Sequence, residues 1–403
     1  MRAHLVVTAA LLGGLLVGVA TQSAAQSDSS GKPKFEVYGF VQGDFIFDFK
    51  QNDPAWFDVV RPTKLPASPD QFGRDGHFYA SVRQSRIGVR SFIPTGVGQL
   101  KTTFEFDLFG VGASAGQTTL RPRIFYGELG HFGAGQYFSP FMDIDVFPNT
   151  LEYWGPSGMV FFRNIQVRWM PIQGDTRLTF ALEQPGATGD GGVFANRVEL
   201  TNVQGRFPAP DFSAEYRQAT SWGYVEIAGI LRYLKVDDND PAPPDLSRSF
   251  FGGGGSLSSN IKFNGKNDVL RLQAVYGAGI QNYFNDAPID VAPEINPASA
   301  TSPVFPKAVP ILGLVAFLDH TWNDRFTSSI GYSRVNVYNT NGQTPSDFRI
   351  GQYAAANLLY IPVKDVVVGG EFLWGRRENN TDGFVSNDYR FQFSARYAFS
   401  KTF

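Results

Sequence analysis

"FQFSARYAFSKTF", residues 391–403, ends the chain on an aromatic residue, at a position where most polypeptides fray. Taken in steps of two, it places Phe391, Phe393, Ala395, Tyr397, Phe399, Lys401 and Phe403 on one face. Gln392, Ser394, Arg396, Ala398, Ser400 and Thr402 fall on the other. A period of two is a β-strand, and an aromatic face this long must press against something apolar, either a protein core or lipid.

The start of the chain repeats the pattern. Phe35, Val37, Gly39, Val41, Gly43, Phe45, Phe47 and Phe49 alternate with Glu36, Tyr38, Phe40, Gln42, Asp44, Ile46, Asp48 and Lys50. Similar dyads recur between the two ends, among them "LKTTFEFDLF" (100–109), "RNIQVRWM" (163–170), "TRLTFALE" (176–183) and "WGYVEIAGILRYL" (222–234). Short links such as "GH" (130–131), "PIQGD" (171–175), "NGKN" (264–267) and "ND" (323–324) carry turn residues. They alternate with long, proline-bearing links near 51–76, 110–120, 139–162, 185–210, 236–247, 281–307, 339–346 and 379–388.

This rhythm predicts an all-β chain of about sixteen strands, both ends at the short-turn side: a transmembrane antiparallel up-and-down β-barrel. Closure is a physical requirement, because an open sheet edge in hydrocarbon leaves a row of backbone groups unpaired. The last strand must therefore zip to the first, with its outward aromatics in lipid. A propeller or solenoid would need a fixed repeat of roughly 20 to 50 residues, and none is visible. A soluble sandwich gives no reason for one short link followed by one long.

Composition agrees with that reading. Phe (37), Tyr (16) and Gly (43) are abundant while mean hydropathy is only −0.16, too polar for a helical membrane protein. Net charge is −2 without a basic stripe or tail, which argues against nucleic acid as a partner. The absence of cysteine excludes disulfides, thiolate metal sites, cysteine nucleophiles and lipoprotein anchoring.

"MRAHLVVTAALLGGLLVGVATQSAAQ" has a basic start, an apolar run and small residues at Ser23 and Ala25, and it reads as a secretory signal peptide removed after residue 25. Residues 26–34 then form a short periplasmic segment and 35–403 a single barrel. Export through the periplasm to a bacterial outer membrane, with outer-membrane lipids and lipopolysaccharide as surroundings, follows.

An arginine or lysine on the lipid face costs roughly 2–4 kcal/mol at mid-membrane, so the charged member of each dyad marks the inner face. By this criterion Arg86, Arg90, Arg168, Arg177, Arg232, Arg271 and Arg396 point inward, with Asp44, Glu105, Asp107, Glu226 and Glu371. A barrel of this size keeps an aqueous lumen, and an arginine cluster in it biases passage towards anions. The segment "SPFMDIDVFPNTLEYWGPSGMVFF" (139–162) is too apolar for a solvated external loop; with Asp143, Asp145 and Glu152 it suits a loop folded inward to narrow a pore. Packing at a subunit contact is the other reading of that composition.

Two runs carry a resemblance: "RQSRIGVRSFIPTGVGQLKTTFEFDLFG" (83–110) and "LRPRIFYGELGHFGAGQYFSPFMDIDVFPNTLEYWGPSGMVFFRNIQVRW" (120–169). They resemble the DcaP-like porin family of outer-membrane channels, over about residues 83–183, the remainder agreeing by pattern. The resemblance implies a general-porin-like barrel, homotrimers, and passive uptake of small anions such as dicarboxylates. It also implies that Arg83, Arg86, Arg90, Arg163 and Arg168 line the constriction with Arg123 nearby. The family's type member has a periplasmic coiled coil before its barrel; here only about nine residues separate Gln26 from Phe35, so a barrel without that stalk is expected.

Other functions find less support. A barrel enzyme would set a nucleophile beside a histidine, yet His77, His131 and His320 have no nucleophile motif around them. The glycine run in "FFGGGGSLSS" (250–259) lacks the lysine and helix of a phosphate cradle and suits close packing on a strand. Asp237, Asp238 and Asp240 suit solvated loop acids better than a metal site, and no cofactor is called for. An adhesion or receptor role through the long loops at 51–76 and 281–307 is the alternative to a channel.

Overall fold

The structure is a computed structural model describing residues 31–185, 203–243, 245–300 and 302–403. The expected signal peptide, the first residues of the segment after it, and positions 186–202 of one long link lie outside the described residues.

Sixteen antiparallel strands close into one barrel. In chain order they are β1 (Lys34–Asp48), β2 (His77–Ser81 and Arg86–Thr95), β3 (Gly98–Phe109), β4 (Thr118–Leu129) and β5 (Phe132–Phe138). There follow β6 (Arg163–Ile172), β7 (Arg177–Glu183), β8 (Val203–Arg206 and Asp211–Thr220), β9 (Gly223–Asp238), β10 (Arg248–Phe263) and β11 (Asp268–Ala278). The last are β12 (Pro310–Asn323), β13 (Phe326–Val337), β14 (Phe348–Tyr360), β15 (Val366–Asn379) and β16 (Val385–Thr402). β2 and β8 are each interrupted, but both pieces pair with the same neighbour, β1 and β9 respectively.

Closure is made by β1 and β16, in register from Glu36↔Thr402 to Asp48↔Arg390. Beyond that ladder the Phe35 N–H donates to the Phe403 carbonyl at 3.2 Å, and the Phe403 N–H returns to Phe35 at 2.8 Å. The C-terminal aromatic is thus the last rung of the seam. Outward Val41, Phe45, Phe391, Phe393 and Tyr397 are exposed while Gln42, Asp44, Gln392 and Ser394 are buried, the alternation of a membrane barrel.

The inner wall departs from a simple polar lining. On β9 to β15 many inward positions are apolar, among them Ile230, Val275, Ile311, Phe317, Val335 and Leu373, and they are buried because long loops pack onto them. Residues 139–162 and 280–292 supply Phe141, Met142, Val160, Phe162, Ile280, Tyr283 and Phe284 to one cluster. Val60, Val146 and Met159 join Phe317, Tyr353 and Leu373 in a second. Each large side chain so buried contributes roughly 1.5–3 kcal/mol. The links at 51–76 and 281–307, expected to be external, therefore bring Val59, Val60, Leu65, Tyr283 and Phe284 into the barrel interior.

Glycines make this approach possible. A Cβ on Gly313 would lie 2.1 Å from the Gly158 carbonyl oxygen and 2.4 Å from the Phe284 ring. Within the glycine run of β10, a Cβ on Gly254 would meet Ile280 at 2.6 Å, so that run is a packing surface for the 280–292 loop.

Candidate functional site: the constricted lumen

The segment 139–162 runs around the inside of the wall and is tied down on every side. At its start Asp143 accepts from Arg217 (2.6 Å), Tyr224 (2.7 Å) and Ser258 (2.6 Å). Asn357 on β14 donates to the Asn149 carbonyl at 2.8 Å. The N–H groups of Leu151 and Glu152 both donate to Glu371 on β15, each at 2.9 Å. Gln84, at the break in β2, donates to the Leu151 carbonyl at 3.1 Å. Tyr153 donates to Asp107 on β3 at 2.5 Å, and its ring stacks on Phe109 at 4.2 Å. The return limb pairs Val160 with Phe284 and donates from Gly158 N–H to Ser333 on β13 at 2.9 Å.

Glu152 is buried at the edge of the arginine-side cavity. Its carboxylate accepts from the N–H groups of Val60 (3.0 Å) and Gly155 (2.6 Å). Burial pushes this carboxyl up to about 8 and the Glu371 carboxylate adds to the rise, against the Gly155 and Val60 N–H groups.

Two cavities flank the segment. One, of about 460 Å³, is walled by Tyr38, Phe40, Arg86, Arg90, Arg123 and Arg396, with Ile144, Phe147, Thr150 and Phe161 of the loop facing them. The geometry of this wall follows from strand register. Phe40 pairs with Arg86 across β1–β2, and Gln42 with Arg396 across β1–β16, so both guanidiniums flank the Phe40 ring, at 5.3 and 5.4 Å. Arg90 stacks on Tyr38 at 3.9 Å. Arg123 is bound to Glu105 (2.8 Å) and Asp107 (2.9 Å), and Arg121 to Asp107 (2.8 Å). Arg86 reaches Glu105 only at 3.6 Å and its buried Nε has no hydrogen-bond partner. Among the described residues no carboxylate lies within 4 Å of Arg396.

The other cavity, of about 660 Å³, is lined by Asp145, Arg177, Arg217, Tyr224, Asn260 and Arg271. Lys262 and Asp175 also line it, and its arginines are each paired with carboxylates. Arg217 contacts Asp143 (2.6 Å), Asp145 (2.5 Å) and Glu226 (2.7 Å); Arg177 contacts Glu226 (2.9 Å) and Glu215 (3.2 Å); Arg271 contacts Asp319 (2.6 Å). Five carboxylates thus pair with three guanidiniums on the β7–β12 side, where Lys262 is a further cation. On the β16–β4 side Arg86, Arg90, Arg121, Arg123 and Arg396 share the wall with Glu36, Asp44, Glu105 and Asp107.

Of the arginines expected at the constriction, Arg86, Arg90 and Arg123 line the first cavity, and Arg168 lines a third of about 340 Å³, stacked on Tyr137 at 4.9 Å. Arg163 lies against Phe161 at 5.8 Å. Arg83 sits apart, buried at the break in β2, where it pairs with Asp58 at 2.5 Å and donates to the Gly110 carbonyl at 2.8 Å. Asp143 and Asp145 belong to the opposite side from the arginine wall. Arg396 was legible as an inward residue but not as a partner of Arg86, because the sequence shows that the last strand meets the first but not in which register. The same ignorance of pairing hid Arg217 as the anchor of Asp143.

A closed sixteen-stranded antiparallel barrel of this kind, with a loop packed against the inside of its wall, is an outer-membrane porin. The chain belongs to the DcaP outer membrane protein family, whose model matches residues 16–276. Among solved structures it is similar to the outer membrane channel DcaP of Acinetobacter baumannii, at 19% identity and a TM-score of 0.74 over 94% of this chain and 100% of that one. It is also similar to an anion-selective porin from Comamonas acidovorans, at 10% identity and a TM-score of 0.56 over 91% of this chain and 100% of that one. The trimer form of OmpT of Vibrio cholerae aligns at 11% identity and a TM-score of 0.54, over 91% and 99% of the two chains. A search of the curated proteins found no match.

Proposed function

We propose that the protein is a passive diffusion channel that favours small anions, dicarboxylates among them, and works without cofactor or catalytic group. The observation that carries this reading is the pair Arg86 and Arg396 about Phe40, cationic surface facing a cavity with no carboxylate within 4 Å of Arg396 among the described residues. On the β7–β12 side each of five carboxylates already has an arginine within 4 Å, so it offers less to a passing cation. An anion travelling along the β16–β4 wall meets Arg90, Arg86, Arg123 and Arg396 in turn, with Arg163 and Arg168 on the neighbouring wall. Asp143, Asp145 and Glu152 act chiefly by holding the 139–162 loop as the constriction.

In this reading residues 1–25 are removed on export, 26–34 lie in the periplasm, and the barrel sits as a homotrimer among the lipids of the outer membrane. The trimer form of OmpT and the anion selectivity of the Comamonas porin are properties of those proteins that favour it. The test is the reversal potential of the purified protein in a planar bilayer under a salt gradient. A cation-selective value would overturn the preference while leaving the channel.

A further inference from the structure

The outward face of β13 to β16 carries charge where a lipid-facing surface should not. Register aligns Arg334, Gln352, Arg376 and Asn387 across the four strands. Two residues further towards the turns on the periplasmic side, the same strands present Tyr332, Ala354, Trp374 and Tyr389. Two further still they present Ile330, Ala356, Phe372 and Phe391, of which Ile330, Phe372 and Phe391 are 60%, 48% and 46% exposed.

The aromatic tips point towards the polar residues. Tyr332 O–H donates to Gln352 at 2.7 Å and Trp374 Nε1–H to Asn387 at 3.3 Å. Amphipathic rings so oriented mark the boundary between hydrocarbon and headgroups. Arginines one step beyond that boundary cost about 0–1 kcal/mol, against several at the midplane. The cluster is also under-neutralised. Arg349 and Arg376 share the Glu378 carboxylate, at 3.5 and 3.0 Å, while Arg334 has no carboxylate within 4 Å among the described residues and reaches Asn336 only at 3.4 Å.

We propose that this patch holds a phosphate of an outer-leaflet lipid headgroup, with Arg334 and Arg376 as the principal contacts, Arg349 beside them, and the acyl chains laid on Ile330, Phe372 and Phe391. Guanidiniums suit this task because their planar N–H fork matches phosphate oxygens. The inference rests on the outer-membrane placement of the barrel and is independent of which solutes pass through the lumen.

The test is native mass spectrometry of the purified full protein in neutral detergent, titrated with bisphosphorylated lipid A, with its dephosphorylated form, and with inorganic phosphate. The wild type is expected to hold the bisphosphorylated lipid at least about tenfold more tightly than the dephosphorylated one. Arg334→Gln with Arg376→Gln is expected to remove that difference while leaving bilayer conductance unchanged, and the double lysine variant to keep much of it. If the double glutamine variant fails to give the heat-modifiable gel band of a folded barrel, the comparison of the two lipids on the wild type decides. Equal affinity for both lipids, or a folded double glutamine variant that binds like the wild type, overturns the proposal. Inorganic phosphate binding as tightly as the lipid overturns the lipid assignment in favour of a free anion.

Discussion

Arg217 of β8 and Asp143 of the inner loop lie 2.6 Å apart, joined by a charge-assisted hydrogen bond across 74 residues of sequence. The same guanidinium holds Asp145 and Glu226, so one side chain fixes the start of the inner loop to the wall. Removing it leaves the buried Asp143 without its cation, a cost of about 3–5 kcal/mol. Arg217→Ala is expected to lower the temperature at which the folded gel band is lost and to add fluctuations to single-channel traces. A quiet, wild-type trace from Arg217→Ala would show that the loop is held by other contacts.

Arg86 and Arg396 supply the cationic surface of the arginine wall. At roughly 5 Å in a water-like dielectric one unit charge is worth about 0.8 kcal/mol, so each arginine removed should lower anion partitioning about fourfold. Arg86→Ala with Arg396→Ala is expected to move the reversal potential towards the cation side, whereas Arg83→Ala, behind its pair with Asp58, should change stability more than selectivity. Salt-gradient measurements on both variants check this, and the reverse order would move the filter to the break in β2.

Glu152 gives the loop a pH dependence whose sign can be worked out. A carboxyl raised from its ordinary value to about 8 is neutral in the folded loop at pH 6 and must ionise there above pH 8. Loop stability therefore declines as pH rises from about 4.5 to 8 and levels off beyond. Conductance noise is expected to grow between pH 6 and pH 9 in the wild type and to stay flat in Glu152→Gln. An unaltered pH profile in the variant assigns the effect to another group.

Gly313 lets the backbone of the inner loop touch β12. A methyl there would sit 2.1 Å from the Gly158 carbonyl oxygen, and relieving such overpacking costs about 1–3 kcal/mol or more. Gly313→Val is expected to leave the barrel folded, displace the loop, and raise single-channel conductance. Unchanged conductance would mean that the return limb of the loop does not set the aperture.

The barrel was legible because lipid imposes one rule on every strand. A dyad containing an arginine, such as Ile87, Arg86 and Val89, can face only one way, and the alternation of short and long links orders the strands. The apolar interior was not legible. In β11 the arginine rule that turns Arg271 inward turns Val275 inward too, but what covers an apolar side chain on that face, Ile280 and its neighbours, is not written in the strand. Composition marked the 139–162 link as unusual because its aromatics had nowhere to go in water, whereas the 51–76 and 281–307 links hid Val59, Val60 and Tyr283 among prolines and polar residues. Site residues were found as types on faces. Their partners depend on closure register, which puts Arg396 beside Phe40 across the whole length of the chain.

The central claim, an anion-favouring pore through this barrel, is tested most directly by the reversal potential of the purified mature protein in a planar bilayer under a tenfold potassium chloride gradient. The expected result is stepwise conductance, in threes for a trimer, with a reversal potential on the chloride side. A potential on the potassium side, or no conductance from a barrel shown to be folded, would contradict it.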